Sequence, residues 1–377
     1  MTEWRILQDN VSTNLEDKTT TTEFSKLAES LVNFERSYKE VHGYLAALIC
    51  ICGATFNLCN IYVLSNRHLK KAPINTLLMS IAVFDSITET AYLPFAIYFH
   101  ILTDTSYVYR HPIGWICYAI ISLNIMVVCH TAAMCLTVAL ATFRYICVCR
   151  HTIAKRLCSK RRAHITIATV IIVSVILCIP QLLCQKVVWI QVNDSLHPWM
   201  GSTRFCDAHA QMLAILNFLV CGGVVKTAAC VVLLTFTSIL LISLKKAKRR
   251  HRGLLQAKSA RRDRDHQRTT IMLIAVVLSF VVAELPQGIL AIVCSLNRTY
   301  LEMIYMNLGD FLDIIVLLNS SVNFVLYTSM SQQFRDKFKE QFMEPILRCA
   351  KAKGKNQETV ELAEHERLCQ RNQEGMN

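Results

Sequence analysis

Charged residues are scarce in this chain, and the scarcity is concentrated in long stretches. Asp, Glu, Lys and Arg make up 18% of the 377 residues, whereas a soluble globular domain carries roughly a quarter. Residues 43–65 contain none of these four residue types, and ~20 apolar residues in a helix are enough to cross the core of a bilayer. An ordinary soluble domain is therefore excluded for this part of the chain.

Six further segments show the same apolar character, some of them with isolated charges. They cover residues 75–102, 113–143, 164–185, 209–244, 269–296 and 303–330. A buried soluble helix bundle imitates one or two such runs, but not seven that are separated by basic and polar loops. The sequence thus predicts an all-α membrane protein, a seven-transmembrane helix bundle, with spans numbered 1 to 7 in chain order.

The positions of Lys and Arg predict how the bundle is oriented, because short cytoplasmic loops are enriched in both residues. The loops after spans 1, 3 and 5 are strongly basic, whereas the loops on the opposite side are not. We expect a multi-pass protein of the plasma membrane with an extracellular N-terminus. Residues 1–40 show no signal-peptide pattern, so span 1 is expected to insert as its own signal. Three N-glycosylation sequons share the outer side, at Asn10, Asn193 and Asn297.

The formal net charge of +13 does not predict nucleic-acid binding. The excess of basic residues lies in the predicted cytoplasmic loops, where anionic lipid headgroups are close. We expect membrane lipid and an acidic protein surface as the neighbours of these loops, and no nucleic acid.

Polar segments flank the predicted bundle. The expected organisation is an extracellular tail (1–41), the bundle (42–330), an amphipathic helix in the membrane surface (331–344) and a cytoplasmic tail (345–377). The amphipathic helix is predicted from Phe334, Phe338 and Phe342, which recur every four residues with charges between them. Cys349, among basic residues, is either a palmitoylation site or an unmodified thiol.

Seventeen cysteines do not indicate a disulfide scaffold or a zinc site. Most lie inside spans, where cysteine acts as a small apolar residue, and no pair of CxxC motifs is present. Cys117, near the start of span 3, and Cys206, before span 5, lie on the oxidising side and are the natural disulfide pair. Cys294, within the last turns of span 6, is a weaker competitor.

Several polar residues lie at mid-membrane or inner depth, where an ionisable group is costly and often functional. They are Asn57, Asp85, Asn319 and Asn323. Separate helix-packing hydrogen bonds are the alternative. One hydrated cluster is favoured because the carboxylate of Asp85 needs a partner.

A second polar set lies nearer the predicted outer side. It consists of Glu89, His130, Lys226, Glu284, Asp310 and Asp313. Acids outnumber bases, so a pocket lined by these residues favours a cationic ligand group such as an arginine. Internal pairing is the alternative, and for Lys226 with Glu284 it has equal weight. Glu89 and Asp313 have no obvious internal base, which favours ligand contact for them.

No catalytic constellation is visible, so we do not expect an enzyme. No His, Cys or Ser has a spacing that brings a nucleophile and a base together. Span 7 contains no lysine, which excludes a retinal Schiff base there. The sequence therefore predicts no cofactor and no metal.

Several motifs resemble those of the rhodopsin-like (class A) G-protein-coupled receptors, over roughly residues 44–342. Within that class the chain resembles the myosuppressin and FMRFamide-type peptide receptors of invertebrates, particularly the nematode group. The matching motifs are His130-Thr131, Leu136-Thr137-Val138, Arg144-Tyr145, Arg268-Thr269-Thr270, Glu284-Leu285-Pro286-Gln287-Gly288, Asp313-Ile314 and Asn319-Ser320-Ser321-Val322-Asn323-Phe324-Val325-Leu326-Tyr327.

The resemblance implies a mechanism in which a peptide with an Arg-Phe-amide C-terminus binds outside and a heterotrimeric G protein, for instance of the Gi/o class, docks inside. The arginine of the peptide would meet Glu89, Asp310 or Asp313. The residues implied in coupling and activation are Arg144, Tyr145, Asn323, Tyr327, Pro286, Asp85 and Asn57.

The chain departs from the broad class at several motif positions. Phe143 replaces the acid before the arginine, which predicts appreciable basal signalling. Glu284 replaces the tryptophan of span 6, and Phe324 replaces the proline of span 7. Ala229 replaces the proline of span 5, and Ala133 replaces a serine that helps to bind sodium beside Asp85.

Three alternatives remain. A receptor for a small amine normally has an acid in the outer half of span 3, and residues 118–130 contain none. A transporter would use the intramembrane acids as an ion path, but no internal repeat is visible. A channel, like a transporter, leaves Arg144-Tyr145 unexplained.

Overall fold

The computed structural model describes residues 18–103, 111–192, 195–202, 216, 218–251, 258–296, 304–330 and 332–345. Most of these residues are helical. The helices are α1 (Lys18–Leu64), α2 (Pro73–Ala96), α3 (Ile113–Cys149), α4 (His151–Leu157), α5 (Lys160–Cys184), α6 (Val225–His251), α7 (Lys258–Leu296), α8 (Met306–Met330) and α9 (Gln332–Phe338). Two strands, β1 (Gln185–Val192) and β2 (Ser195–Ser202), follow α5.

Short helical turns of other types extend the main helices. A 3₁₀ turn, Leu69–Lys71, precedes α2, and π-helical turns cover Ile97–Leu102 after α2, Phe218–Val224 before α6 and Lys339–Met343 after α9. The seven predicted spans correspond to α1, α2, α3, α5, α6, α7 and α8, so the predicted seven-helix bundle is confirmed.

Six stretches of the described residues are long and apolar enough to cross a membrane, and they lie in α1, α3, α5, α6, α7 and α8. Helix α2, which carries Asp85 and Glu89, completes the bundle by packing against both α1 and α3. Large apolar side chains point outward from these helices: Leu48, Leu58, Ile172, Ile242 and Val282 are all at least 59% exposed. An outward-facing apolar surface of this kind is suited to lipid rather than to water.

Helix α1 begins much earlier than the sequence predicted. A polar tail was expected up to residue 41, but the helix starts at Lys18. Residues 18–42 contain no Gly or Pro, so nothing in them breaks a helix. The ring of Phe34 stacks on that of Tyr38, and both rings contact Phe311 of α8. These contacts explain why the segment continues the helix instead of forming a loose tail.

Strands β1 and β2 form an antiparallel hairpin that the sequence analysis did not predict. The register pairs Gln185 with Ser202 and Val192 with Ser195. The β-branched and aromatic residues of β1 are typical of a strand, but they continue directly from the apolar run of span 4. The hairpin packs against α3, which places it over one end of the bundle.

Helix α9 turns its phenylalanine face towards the bundle. Phe334 is buried, and the ring of Phe324 on α8 lies 6.2 Å from that of Phe334 and 5.7 Å from that of Phe338. The ring of Phe342 lies 5.2 Å from that of Tyr62 on α1. The spacing of four residues therefore marks a helix that packs on the ends of α1 and α8.

Candidate ligand and coupling sites

A buried polar triad joins three helices at Glu284. The carboxylate of Glu284 on α7 is fully buried, with Oε2 2.9 Å from Nζ of Lys226 on α6 and Oε1 3.3 Å from Nε2 of His130 on α3. A buried carboxylate is tolerated only when it is paired. Of the two readings for Lys226 and Glu284, the geometry therefore shows internal pairing.

The residues that follow Glu284 build the contact between α6 and α7. Lys226 also donates through Nζ to Oε1 of Gln287. A Cβ atom at Gly288 would lie 2.8 Å from Oγ1 of Thr227 and 3.2 Å from Cβ of Lys226, so only glycine lets the two helices approach this closely. Pro286 lies inside α7, where it cannot donate a backbone hydrogen bond. The motif from Glu284 to Gly288 thus combines an ion pair, a close approach of α6 to α7 and a missing backbone hydrogen bond at Pro286.

Two carboxylates of α2 are bound by polar residues of α8 and α1. Asn323 donates through Nδ2 to Oδ2 of Asp85 at 3.2 Å. Glu89 accepts from Nδ2 of Asn57 at 3.1 Å and from Oγ of Ser321 at 3.0 Å. Glu89, which was expected among the outer residues, therefore belongs with Asn57 in the inner cluster.

Gly53 makes the Glu89 site possible. A Cβ atom at Gly53 would lie 2.1 Å from Oε1 of Glu89 and 2.2 Å from Oγ of Ser321. Any side chain at this position of α1 would therefore displace the carboxylate. Sequence analysis missed both Gly53 and the hydrogen bond of Ser321, because a glycine in an apolar run carries no signal of what lies opposite it.

A cavity of ≈ 20 Å³ lies between the two networks. Its lining includes Asp85, Asn319 and Asn323 of the inner cluster and His130 of the Glu284 triad. A space of this size is sufficient for about one water molecule. Ala133 also lines the cavity and contributes no side-chain oxygen to it.

The remaining outer acids lie near one end of α8. Asp310 and Asp313 are half-buried and three residues apart, which places them on one face of the helix. Asp313 lies within electrostatic reach of both Asp310 and Lys226. Oδ2 of Asp310 has no hydrogen-bond partner among the described residues.

The residues of the predicted coupling site lie near the C-terminal end of α3. Phe143 is buried in a core cluster with Leu77 and Leu78 of α2. The ring of Tyr145 stacks on that of Phe236 of α6, with centroids 5.3 Å apart. Arg144 lies between them and is half-buried. Packing thus accounts for an apolar residue at position 143.

A profile of the family described as serpentine type 7TM GPCR chemoreceptor Srw matches residues 44–344. The chain belongs to this family of G-protein-coupled receptors. It is accordingly a multi-pass membrane receptor and not an enzyme. Family membership implies that it binds a ligand and couples to a G protein.

Three characterised proteins are similar to this receptor. The G-protein coupled receptor dmsr-1 of Caenorhabditis elegans is 26% identical over 86% of this chain and 72% of its own length. The sex peptide receptor of Drosophila melanogaster is 26% identical over 81% of this chain and 73% of its own. The sex peptide receptor-related protein 2 of Caenorhabditis elegans is 24% identical over 82% of this chain and 73% of its own.

Several predicted sites of the receptor lie outside the described residues. They are the sequon residues Asn10, Asn193 and Asn297, the disulfide residue Cys206, the palmitoylation candidate Cys349 and the side chain of Tyr327. Cys117 is a thiol without a disulfide partner in the described part of the chain. The Cys117–Cys206 disulfide, the glycosylation sites and the lipid anchor therefore stay predictions.

Proposed function

We propose that the receptor responds to an extracellular neuropeptide with an Arg-Phe-amide C-terminus, of the FMRFamide or myosuppressin kind. In this proposal it lies in the plasma membrane with its N-terminus outside and signals through a heterotrimeric G protein of the Gi/o class. The similarity to a sex peptide receptor supports a peptide ligand. The single observation that carries the arginine contact is the pair of half-buried acids, Asp310 and Asp313, on one face of α8.

The three acids considered as arginine partners differ in availability. Glu89 is fully buried and already accepts from Asn57 and Ser321. Asp313 and Asp310, near the end of α8, are partly exposed as residues, although Oδ2 of Asp310 is itself buried. The peptide guanidinium therefore meets Asp313, with Asp310 beside it, because a guanidinium binds an available carboxylate with two parallel hydrogen bonds.

Activation in this proposal is a shift between two arrangements of the helices. A ligand moves such an equilibrium only by binding one state more tightly than the other. Lys226 is the link, since it is within reach of Asp313 and also pairs with Glu284 on α7. A cationic ligand group at Asp313 alters this balance of charges, and α7 swings outward by bending at Pro286. The opened inner face exposes Arg144 and the basic ends of α6 and α7 to the G protein.

The ligand assignment is tested by a peptide-library screen on cells that express the receptor, read through several G proteins. For an active peptide, Asp313→Asn should lower potency about 10- to 100-fold, as loss of a charge-assisted hydrogen bond predicts. Citrulline in place of the peptide arginine should lower potency on the wild type and have little further effect on Asp313→Asn. Glu40→Gln, which removes an exposed acid of α1, is the matched control.

The screen also distinguishes a peptide ligand from a small non-peptide ligand. The family is described as chemoreceptors, which favours a small non-peptide ligand as the second candidate. A response to small amines and to no amidated peptide would overturn the neuropeptide proposal and leave the receptor assignment intact.

The coupling assignment is tested with purified receptor in lipid discs. Arg144→Ala should abolish agonist-stimulated nucleotide exchange on the G protein while the ligand still binds. Arg144→Lys, which keeps the charge, is the control for packing at this position. Equal exchange by Arg144→Ala and the wild type would contradict the proposed docking site.

A further inference from the structure

Three potential metal ligands converge where α1, α2 and α8 meet. They are His42 of α1, His100 of the π-helical turn after α2 and Asp310 of α8, and one donor atom from each lies within 4.8 Å of the other two. These residues come from segments far apart in the sequence, and no motif connects them. Only the packing of the three helices brings the donor atoms together.

Two of the donor groups carry buried atoms whose hydrogen-bonding capacity is not used. His42 is fully buried, and its Nε2 lies 3.0 Å from Oη of Tyr92. Its Nδ1 makes no hydrogen bond of good geometry, although the backbone of Asp310 is close to the ring, and Oδ2 of Asp310 has no hydrogen-bond partner among the described residues. Buried polar atoms without a partner are uncommon because each costs about 1–3 kcal/mol. Their coincidence within one small cluster indicates a ligand that the two atoms share.

We propose that His42, His100 and Asp310 form a binding site for Zn²⁺. Two imidazoles and one carboxylate are a ligand set that suits zinc, with water in the fourth position. Mg²⁺ and Ca²⁺ prefer oxygen ligands, so the nitrogen donors argue against both ions. Ligands at about 2.0–2.1 Å from a tetrahedral ion lie about 3.3 Å apart, so small side-chain rotations complete the site.

The surroundings already hold the ligands in place. With the proton of His42 on Nε2 and donated to Tyr92, Nδ1 presents its lone pair, as a hydrogen-bonded ligand histidine does. The rings of His42 and His100 have centroids 4.6 Å apart. A Cβ atom at Gly43 would lie 2.8 Å from Cβ of His100, so glycine allows α1 and the turn after α2 to approach.

Some charges around the site favour a bound cation and others disfavour it. Lys39 on α1 acts electrostatically on His100 and opposes a cation, although it is itself paired with Glu35. Asp310 and the neighbouring Asp313 favour a cation. Bound zinc would tie α1 and the end of α2 to α8 and would occupy the carboxylate of Asp310. The zinc site leaves the carboxylate of Asp313 for the arginine of the proposed peptide, and zinc binding itself does not require that peptide.

The test is direct measurement of Zn²⁺ binding to the purified full-length receptor by equilibrium dialysis. The wild type should bind one more equivalent of Zn²⁺ than His100→Ala and Asp310→Asn do, or bind it at least about tenfold more tightly. His197→Ala, which removes a histidine of the hairpin, is the matched control and should bind as the wild type does. Binding that all four proteins share belongs to the cysteine thiols and not to the site.

Thermal unfolding separates loss of the site from misfolding. Without metal, Asp310→Asn should unfold within a few degrees of the wild type, because it preserves the shape of the side chain. Zn²⁺ should raise the unfolding temperature of the wild type and of His197→Ala, but not that of Asp310→Asn. Equal binding and equal stabilisation of the wild type and both site variants would overturn the proposal.

Discussion

Lys226 and Glu284 form a buried ion pair between α6 and α7, with Nζ 2.9 Å from Oε2 and no exposed surface on Glu284. Pro286 and Gly288 follow Glu284 in α7, and Gly288 lies against Thr227 and Lys226 of α6. The pair and the close approach at Gly288 therefore hold α6 and α7 together at this level of the bundle.

The buried pair should be far more sensitive to removal of one partner than an exposed pair is. Glu284→Gln leaves Lys226 buried and poorly compensated, which costs about 3–5 kcal/mol. We expect a clear fall in the thermal unfolding temperature of the purified receptor. Glu340→Gln, which breaks the exposed pair of Glu340 with Lys337, is the control and should cost about 0–1 kcal/mol.

The thermal stability of the double variant Lys226→Met with Glu284→Gln provides a second test of the same pair. Removing both charges takes away the uncompensated ammonium group, so stability should recover part of the loss. A double variant that is as unstable as the sum of the two single variants would contradict the assigned pairing.

Gly53→Ala should destabilise the receptor although the change adds only a methyl group. The new Cβ atom would lie 2.1 Å from Oε1 of Glu89, and overpacking of this kind costs about 1–3 kcal/mol. Surface expression and the thermal unfolding temperature measure the effect. Gly114→Ala is the control, since its Cβ atom meets nothing within 4 Å among the described residues and alanine favours a helix. Equal behaviour of the two variants would show that Glu89 is placed differently.

Phe143→Glu should lower the basal signalling of the receptor. An acid beside Arg144 would give the guanidinium a carboxylate neighbour, which in the proposed mechanism favours the closed arrangement of the helices. Because Phe143 is buried in the core, the comparison is made at equal surface expression. Phe143→Leu keeps the site apolar and controls for lost packing. Unchanged basal activity in Phe143→Glu counts against this role.

The thiol of Cys158 should react slowly with alkylating reagents at neutral pH. Burial, together with the neighbouring Cys147, raises the pKa of the Cys158 thiol to about 12, and its Sγ donates to the carbonyl oxygen of Phe143 at 3.6 Å. Since the thiolate is the reactive form, labelling should accelerate with pH only far above the range of an ordinary cysteine. Mass spectrometry of iodoacetamide-treated receptor measures this rate. Labelling of Cys158 at the rate of a free thiol at pH 8 would contradict the contact.

The sequence was sufficient for features that depend on local composition. Seven apolar segments gave the seven helices, because the length needed to cross a bilayer leaves a direct mark on the chain. The need of Asp85 for a partner was also visible, and Asn323 meets it. The motif from Glu284 to Gly288 marked an important contact, although the sequence left ligand binding and internal pairing of Glu284 equally open.

Other features depended on which faces of the helices meet. Glu89 was grouped with the outer acids, but Gly53 and Asn57 of α1 hold it in the inner cluster. The hairpin after α5 was missed because β1 continues an apolar run, so the change from helix to strand has no polar boundary. The helical start at Lys18 depends on Phe34 and Tyr38 finding Phe311, which is far away in the sequence.

By itself, the sequence determined that this chain crosses a membrane seven times and belongs among the receptors, since hydropathy and local motifs are properties of neighbouring residues. Tertiary structure alone decided that Glu284 pairs with Lys226 beside His130, and that His42, His100 and Asp310 meet. Each of these contacts depends on the rotation of one helix about its axis relative to another. Packing of side chains across the whole bundle sets that rotation, and no single segment encodes it.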